Sequence, residues 1–343
     1  DPSFYFQPEW SPDGSKLVFT DTHYRVLVLD IESGDVDHID TDRFAHPERS
    51  MNPIWSPDSR WIGYARRLDN QLRAIFVHDT ESGETHQLTD GMADAITPVW
   101  DASGKYLYFL ASTDYGLNTG WLDMTSYDRP VTRALYVTLL RADEPSPFLP
   151  KSDEEEGEDA DDEEGADGDD QSSDDVEINI DFDGINRRTI DAPGLPLRNY
   201  LGLEAGPEGT VFVAEADEGF GGASLLKYSL EDREADNFID SFSSATLSHD
   251  REKLLYRSGS NWTIVDTGNP PSGGEDGRLS LGNMRVRVEP EAEYAQMLRD
   301  GWRFMRDFLY VDNQHGAPWD DVWDWYSAWL PDLRHRSDFN QLL

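Results

Sequence analysis

The sequence contains no cysteine. That excludes disulfide frameworks, thiolate nucleophiles and cysteine metal sites, while the redox compartment stays open because a large domain needs no disulfides. Lysine is scarce: five of the 29 basic residues, set against 69 acidic ones. A formal net charge of −40 repels nucleic-acid phosphates and anionic lipid headgroups, so neither is expected as a partner. Runs of 18 apolar residues are missing, which excludes a membrane-spanning helix. G-x-S-x-G, H-E-x-x-H and glycine-rich phosphate loops are missing too. The eight histidines are scattered without metal-ligand spacing. No catalytic, cofactor-binding or metal-ligating residue is therefore assigned, and no cofactor is expected.

The acidity is uneven. From Lys151 to Asp183 there are 18 carboxylates and one lysine. The stretch Asp153 to Asp175 has almost no apolar residues and strong self-repulsion, so it is expected as a disordered insert, at about 151–177, between strands. Asp181-Phe182-Asp183-Gly184 has the look of a calcium loop but lacks the further oxygen ligands and closing glutamate, and reads as a strand end and turn.

Present instead is a repeat. Trp10, Trp55 and Trp100 stand 45 residues apart and open the phrases W-S-P-D-G-S-K-L-V-F, W-S-P-D-S-R-W-I-G-Y and W-D-A-S-G-K-Y-L-Y-F. In the first unit, Pro8-Glu9-Trp10 supplies a strand and Ser11 to Gly14 suits a type I turn. Strands follow at Lys16–Thr20, Tyr24–Asp30 and Asp35–Ile39. The second unit repeats this with Trp61–Ala65, Ala74–Asp79 and Thr85–Leu88. The third runs from Pro98 to about Pro147, with strands at Tyr106–Leu110 and Ala134–Leu140 and a stretched loop at Ser112–Thr132. Beyond the insert the pattern returns more weakly at Thr210–Ala214, then at Leu254–Arg257 and Trp262–Asp266. Four short antiparallel strands every 40 to 50 residues are the units of a β-propeller. The expected fold is mainly β: about five four-stranded blades of a seven-bladed ring over residues 1–284, followed by the start of a small α-helical domain over 285–343.

Past Val288 the period changes from 2 to 3.6. Pro290 suits a first helical turn, and Tyr294, Met297, Leu298, Trp302, Met305, Phe308 and Leu309 share a face. Pro318 opens a second helix carrying Val322, Tyr326, Trp329 and Leu330, and Ser337 is the expected N-cap of a third. His315, in the intervening turn, reads as structural or exposed rather than catalytic. The chain opens at Asp1 within a strand-like phrase and stops at Leu343 within a helical one, so it reads as an internal fragment.

Residues 285–343 carry a specific pattern: Arg285-Val286-Arg287-Val288, Trp302-Arg303, Arg306-Asp307-Phe308-Leu309-Tyr310, His315-Gly316, Trp319, Tyr326, Leu330-Pro331 and Arg336-Ser337-Asp338-Phe339-Asn340. It resembles the helical segment of tricorn-type proteases, which follows the second of two propellers. Ser146-Pro147-Phe148 ahead of an acidic insert, and Ile180 to Ile185 after it, resemble bacterial members. The resemblance implies a large serine peptidase that degrades oligopeptides, with PDZ-like and catalytic domains that would follow residue 343. It implies a gating and routing role for this propeller and no activity of the fragment alone. The implied partners are oligopeptide or unfolded polypeptide substrates, the remaining domains of the same chain, and further copies in a homo-oligomer. The expected compartment is the cytoplasm, with export as the other reading. The other functional readings are a TolB-like propeller that binds partner proteins without catalysis and the propeller of a prolyl-oligopeptidase-type enzyme; the helical segment discriminates, because TolB-like proteins end with the propeller and prolyl-oligopeptidase types continue into an α/β-hydrolase domain.

Overall fold

The computed structural model describes residues 3–43, 51–114, 131–150, 176–217, 222–271, 277–311 and 313–343. The expected disordered insert, Asp153 to Asp175, lies outside the described residues. Two compact units are present. One runs from Tyr5 to Leu279, and the other combines Asp1–Phe4 with Ser280–Leu343.

The first unit is a series of five separate antiparallel sheets. Sheet one holds β1 (Tyr5–Trp10), β2 (Lys16–Asp21), β3 (Arg25–Asp30) and β4 (Val36–Thr41) in that order. Sheet two holds β5 (Ile54–Trp55), β6 (Trp61–Arg67), β7 (Arg73–Asp79) and β8 (Thr85–Gln87). Sheet three holds β9 (Asp94–Trp100), β10 (Tyr106–Ser112), β11 (Ala134–Leu139) and β12 (Thr189–Asp191). Sheet four holds β13 (Tyr200–Ala205), β14 (Thr210–Ala216), β15 (Ala223–Ser229) and β16 (Glu234–Phe242). The fifth, β17 (Ser244–Leu247), β18 (Lys253–Ser258) and β19 (Asn261–Asp266), has three strands among the described residues rather than the four expected. This is a five-bladed β-propeller array in which the first strand of each blade is an edge strand.

One boundary departs from the sequence reading. The third blade does not end near Pro147. Its fourth strand is Thr189–Asp191, which pairs with β11 through Tyr136↔Asp191 and Thr138↔Thr189. The acidic insert therefore falls inside the blade, between its third and fourth strands. Loop-closure entropy grows only logarithmically with length, so such an excursion leaves the strand pairing intact.

The turns explain why the W-S-P-D phrase repeats. The hydroxyl of Ser11 donates to Asp13 Oδ1 at 2.6 Å and accepts from the backbone N–H of Lys16 at 2.9 Å. Ser56 accepts the N–H of Trp61 at 2.8 Å, and Ser248 that of Lys253 at 2.9 Å. Each serine thus closes the hairpin between first and second strands. The tryptophans join blade to blade. Trp55 Nε1 donates to the carbonyl of Glu9 at 3.1 Å, and Trp100 Nε1 to the carbonyl of Ile54 at 3.4 Å. Each indole reaches the residue just ahead of the previous tryptophan. The Trp100 ring lies so close over Gly63 that a Cβ there would sit 3.3 Å from Nε1. Charged groups add to this. Buried Asp94, at the start of β9, accepts from the N–H and Nε of Arg73 in blade two at 3.0 and 2.9 Å. Arg133 beside it donates to the carbonyl of Tyr200 in blade four at 3.2 Å.

The second unit contains α1 (Pro290–Phe308), α2 (Trp319–Ser327) and α3 (Arg336–Leu342). Pro290 stands at the start of α1, with Glu291 and Glu293 in the first turn, where the helix dipole favours acids. Of the expected face, Leu298 and Trp302 are buried, while Met305 is exposed. Trp302 and Trp319 donate their indole N–H groups to each other's backbone carbonyls, at 2.8 and 3.1 Å. Phe339 is fully buried and stacks on Tyr294 at 5.3 Å between ring centres. The third helix is capped at His335, not Ser337: Asp338 Oδ2 accepts the N–H groups of Arg334 and His335 at 3.0 and 2.9 Å. A carboxylate reaching back for two free N–H groups outcompetes a serine that lies inside the first turn.

Candidate functional site

The first strands of successive blades touch in series: β1 with β5, β5 with β9, and β9 with β13. They form the inner edge of the propeller. Their sequences share a second regularity, X-Pro-x-Trp: Gln7-Pro8-Glu9-Trp10, Asn52-Pro53-Ile54-Trp55 and Thr97-Pro98-Val99-Trp100. Proline lacks an N–H, and a strand tolerates it at an edge or a bulge. Both conditions hold, since the ladder register shifts between Phe6 and Glu9 in β1, and opposite Tyr108 and Leu110 in β9.

The residue before each proline is left-handed: Gln7 at φ 51°, Asn52 at φ 43° and Thr97 at φ 46°. This conformation suits glycine, costs other residues about 1–3 kcal/mol each, and is an outlier for a β-branched threonine. A following proline disfavours it further. Three successive blades nevertheless keep a polar side chain there. Gln7 Nε2 donates to Asn52 Oδ1, which joins blades one and two. The Thr97 methyl lies 3.8 Å from where a Cβ on Gly202 of blade four would stand. The Thr97 hydroxyl oxygen is buried with no hydrogen-bond partner. These three positions make a polar row along the inner edge, and Gly202 of blade four stands at the equivalent place without a side chain.

Two residues further along, β1 and β13 place Glu9 and Glu204. Glu204 presents surface to solvent yet sits deep within the protein mass, as a group lining a recess does. Burial pushes its carboxyl up to about 7; the Glu9 charge adds to the rise, and the Arg251 guanidinium opposes it. Burial also raises Glu9. Arg251 reaches from the fifth blade's first turn to donate from Nη1 to the carbonyls of Trp100 and Gly206, both at 3.3 Å. The inner edge therefore carries a strained neutral row and, beside it, two carboxyl groups, both raised by burial, of which Glu204 is pushed up to about 7.

No residue was assigned to a site from sequence, and the two weighed motifs are placed as follows. His315 is exposed and left-handed at φ 58°, and its Nε2 meets the hydroxyl of exposed Tyr310 at 2.9 Å. In Asp181 to Gly184, the Asp181 and Asp183 carbonyls accept from Arg188, and the Asp181 carboxylate accepts the Ala142 N–H at 2.7 Å. Oxygens turned toward a guanidinium and an amide serve a turn. Among the described residues no group of three or more His, Asp or Glu is arranged to hold a metal ion. The polar row was missed. Its signal was the residue three before each tryptophan, at the same 45-residue period.

Comparison with known proteins agrees with this architecture. The family model of the tricorn protease second beta propeller domain matches residues 1–268, and that of the tricorn protease C1 domain matches residues 290–343. The chain is 27% identical to tricorn protease homolog 1 of Streptomyces coelicolor, over 97% of its own length and 32% of the relative. It is 24% identical to the tricorn protease homolog of Saccharolobus solfataricus, over 97% of its length and 30% of the relative. It thus spans about a third of these curated relatives. A crystal structure of the tricorn protease superposes with a TM-score of 0.75 at 17% identity, covering 98% of this chain and 32% of that one, and shares the fold. A propeller unit and a helical unit, each matched in order by its own domain model, place the chain in one lineage: it belongs to the tricorn protease family.

Proposed function

We propose that the propeller is the non-catalytic routing part of a tricorn-type serine protease, admitting extended oligopeptides toward catalytic residues carried elsewhere in a longer protein. In this reading the five blades belong to a seven-bladed ring, and the subunits assemble as a homo-oligomer. The observation that carries it is the inner edge: the first strands of successive blades converge and present uncharged polar groups there. An unfolded chain fits a narrow bore that a globule cannot enter. The protease names of the relatives support the enzymatic context.

The test is a plug. In the full-length protein, Thr97→Trp places an indole in the row. Hydrolysis of peptides of ten residues or more is expected to slow several-fold, more steeply as length increases. Unchanged rates at every length would remove the routing role.

A further inference from the structure

The connector ahead of the helices belongs to neither matched domain: the propeller family model ends at residue 268 and the C1 family model begins at residue 290. Up to Leu279 the connector has a sheet to join. The Gly277 carbonyl accepts the N–H of Ile264 at 2.9 Å, and Leu279 donates to the carbonyl of Trp262 at 2.8 Å. Further on comes Met284-Arg285-Val286-Arg287-Val288-Glu289, six residues that alternate strictly between apolar and charged. Period-2 alternation with β-branched residues is the pattern of a strand with one covered face, and this is an ordinary strand length. The described residues give it no neighbour. None of the backbone N–H and C=O groups from Arg285 to Val288 has a hydrogen-bond partner among them. Met284, Val286 and Val288 are 70, 76 and 56% exposed. An unpaired strand-forming segment with a bare apolar face is a template for sheet extension.

We propose that Met284 to Glu289 adds as a strand to a sheet carried by the part of this protein outside residues 1–343, pairing with an edge that alternates apolar and acidic residues. The inference shares with the routing role only the premise of a longer protein, of whose relatives this chain spans about a third. Val286 and Val288 supply the face to be buried, and Arg285 and Arg287 the face that selects the partner. In a chain of net charge −40, two arginines at alternate positions make a basic strip. Opposite charges across a strand pair stabilise it, and like charges oppose it. That rule sets aside the same segment of a second copy, since pairing about Val286 puts Arg285 opposite Arg287 twice. This chain has an alternating acidic stretch of its own, Glu177 to Asp183, with Glu177, Asp181 and Asp183 exposed. Its backbone is already engaged: Ile178 donates to Asp58 Oδ2 at 2.9 Å and accepts from Trp61 Nε1 at 3.1 Å, and Asp181 donates to the carbonyl of Leu140 at 2.9 Å. The matching edge therefore lies elsewhere in the protein.

Hydrogen exchange on the full-length protein tests the strand. Amides between Arg285 and Val288 that face the partner are expected to exchange about a hundredfold or more slower than an open chain does. Neighbouring residues of a strand point their N–H groups to opposite edges, so at least one of Val286→Pro and Arg287→Pro should return the segment to open-chain exchange. Arg285→Glu combined with Arg287→Glu turns two attractions into repulsions and should speed exchange by about tenfold, while lysine at both positions should keep the protection. A photo-cross-linker at position 288 is expected to join a segment outside residues 1–343. Open-chain exchange in the wild type would overturn the proposal, and so would protection that survives both proline variants. A cross-link to a second copy, or to Glu177–Asp183, would overturn the choice of partner, and exchange left unchanged by the double glutamate variant would overturn its acidic character. The Thr97→Trp plug reads dependence on peptide length and these arms read exchange and contact, so either inference can fall while the other stands.

Discussion

Blades two and three differ from blades four and five in how they are fastened, although all are antiparallel sheets with their strands in chain order. In β7 every residue from Arg73 to Asp79 is buried, whereas in β18 only Leu254 is. The tryptophan-led repeats clasp the preceding blade through an indole that is both a large apolar plate and a hydrogen-bond donor; Trp100 is 1% exposed. The later repeats hold Ala205 and Leu247 at that position, which offer neither. There the joint passes to the turns. Asp101 Oδ2 accepts the N–H of Gly209 at 2.9 Å and the hydroxyl of Tyr108 at 2.8 Å, and Arg251 bridges the carbonyls of blades three and four. A buried apolar layer lies under the later joint as well, with Val99 and Tyr108 of blade three against Tyr200 and Val211 of blade four, so the indole clasp and the turn contacts are two ways of fastening the edge of such a layer, which a single small sheet cannot cover alone.

The comparison can be broken most forcefully at Trp100. Trp100→Ala removes the plate over Gly63 and the bond to the Ile54 carbonyl, and is expected to cost about 3–5 kcal/mol in urea unfolding. A cost below about 1 kcal/mol would mean that the indole clasp does not hold blades two and three together. Arg251→Met is the matching change in the weaker half. It keeps the apolar stem and strips two carbonyls of their charged donor, for an expected loss of about 2 kcal/mol on the same assay. A loss equal to that of Trp100→Ala would erase the distinction between the two kinds of joint.

The smallest expected effect is a dependence on pH. Glu204 has a folded-state pKa of about 7, above its ordinary carboxylate value. The folded chain therefore holds this proton where the unfolded chain has released it, so stability falls as pH rises from the ordinary carboxylate range to about 7, then levels off. Denaturation midpoints between pH 4 and 8 should show that this component is lost in Glu204→Gln. Arg251→Met, which withdraws the opposing positive charge, should push the fall to higher pH. A Glu204→Gln profile parallel to the wild type would assign the pH response to other groups.

Much of the fold was readable because it repeats local chemistry. In blades one and two the serine that closes the first hairpin, the aspartate two residues on and the tryptophan before them lie within a few residues of one another, and local hydrogen bonds decide their geometry. The change to a 3.6-residue period marked the helices for the same reason. The end of the third blade was not readable, because Thr189–Asp191 finds β11 across the acidic insert and nothing local marks so distant a partner. The cap of α3 was displaced by two residues because the choice between Ser337 and His335 turned on where Asp338 reaches.

The inner row shows the limit most sharply. A residue before proline is expected to be extended, so local propensity pointed away from the left-handed backbone that Gln7, Asn52 and Thr97 adopt. Periodicity and turn chemistry determined that there are blades, how many are recognisable and where each hairpin turns, since these depend on neighbours in the chain. Only the packed sheets decided which edge faces inward, which carbonyl each indole meets and how far Glu204 shifts, because strain, desolvation and long-range hydrogen bonds arise when distant segments share one space.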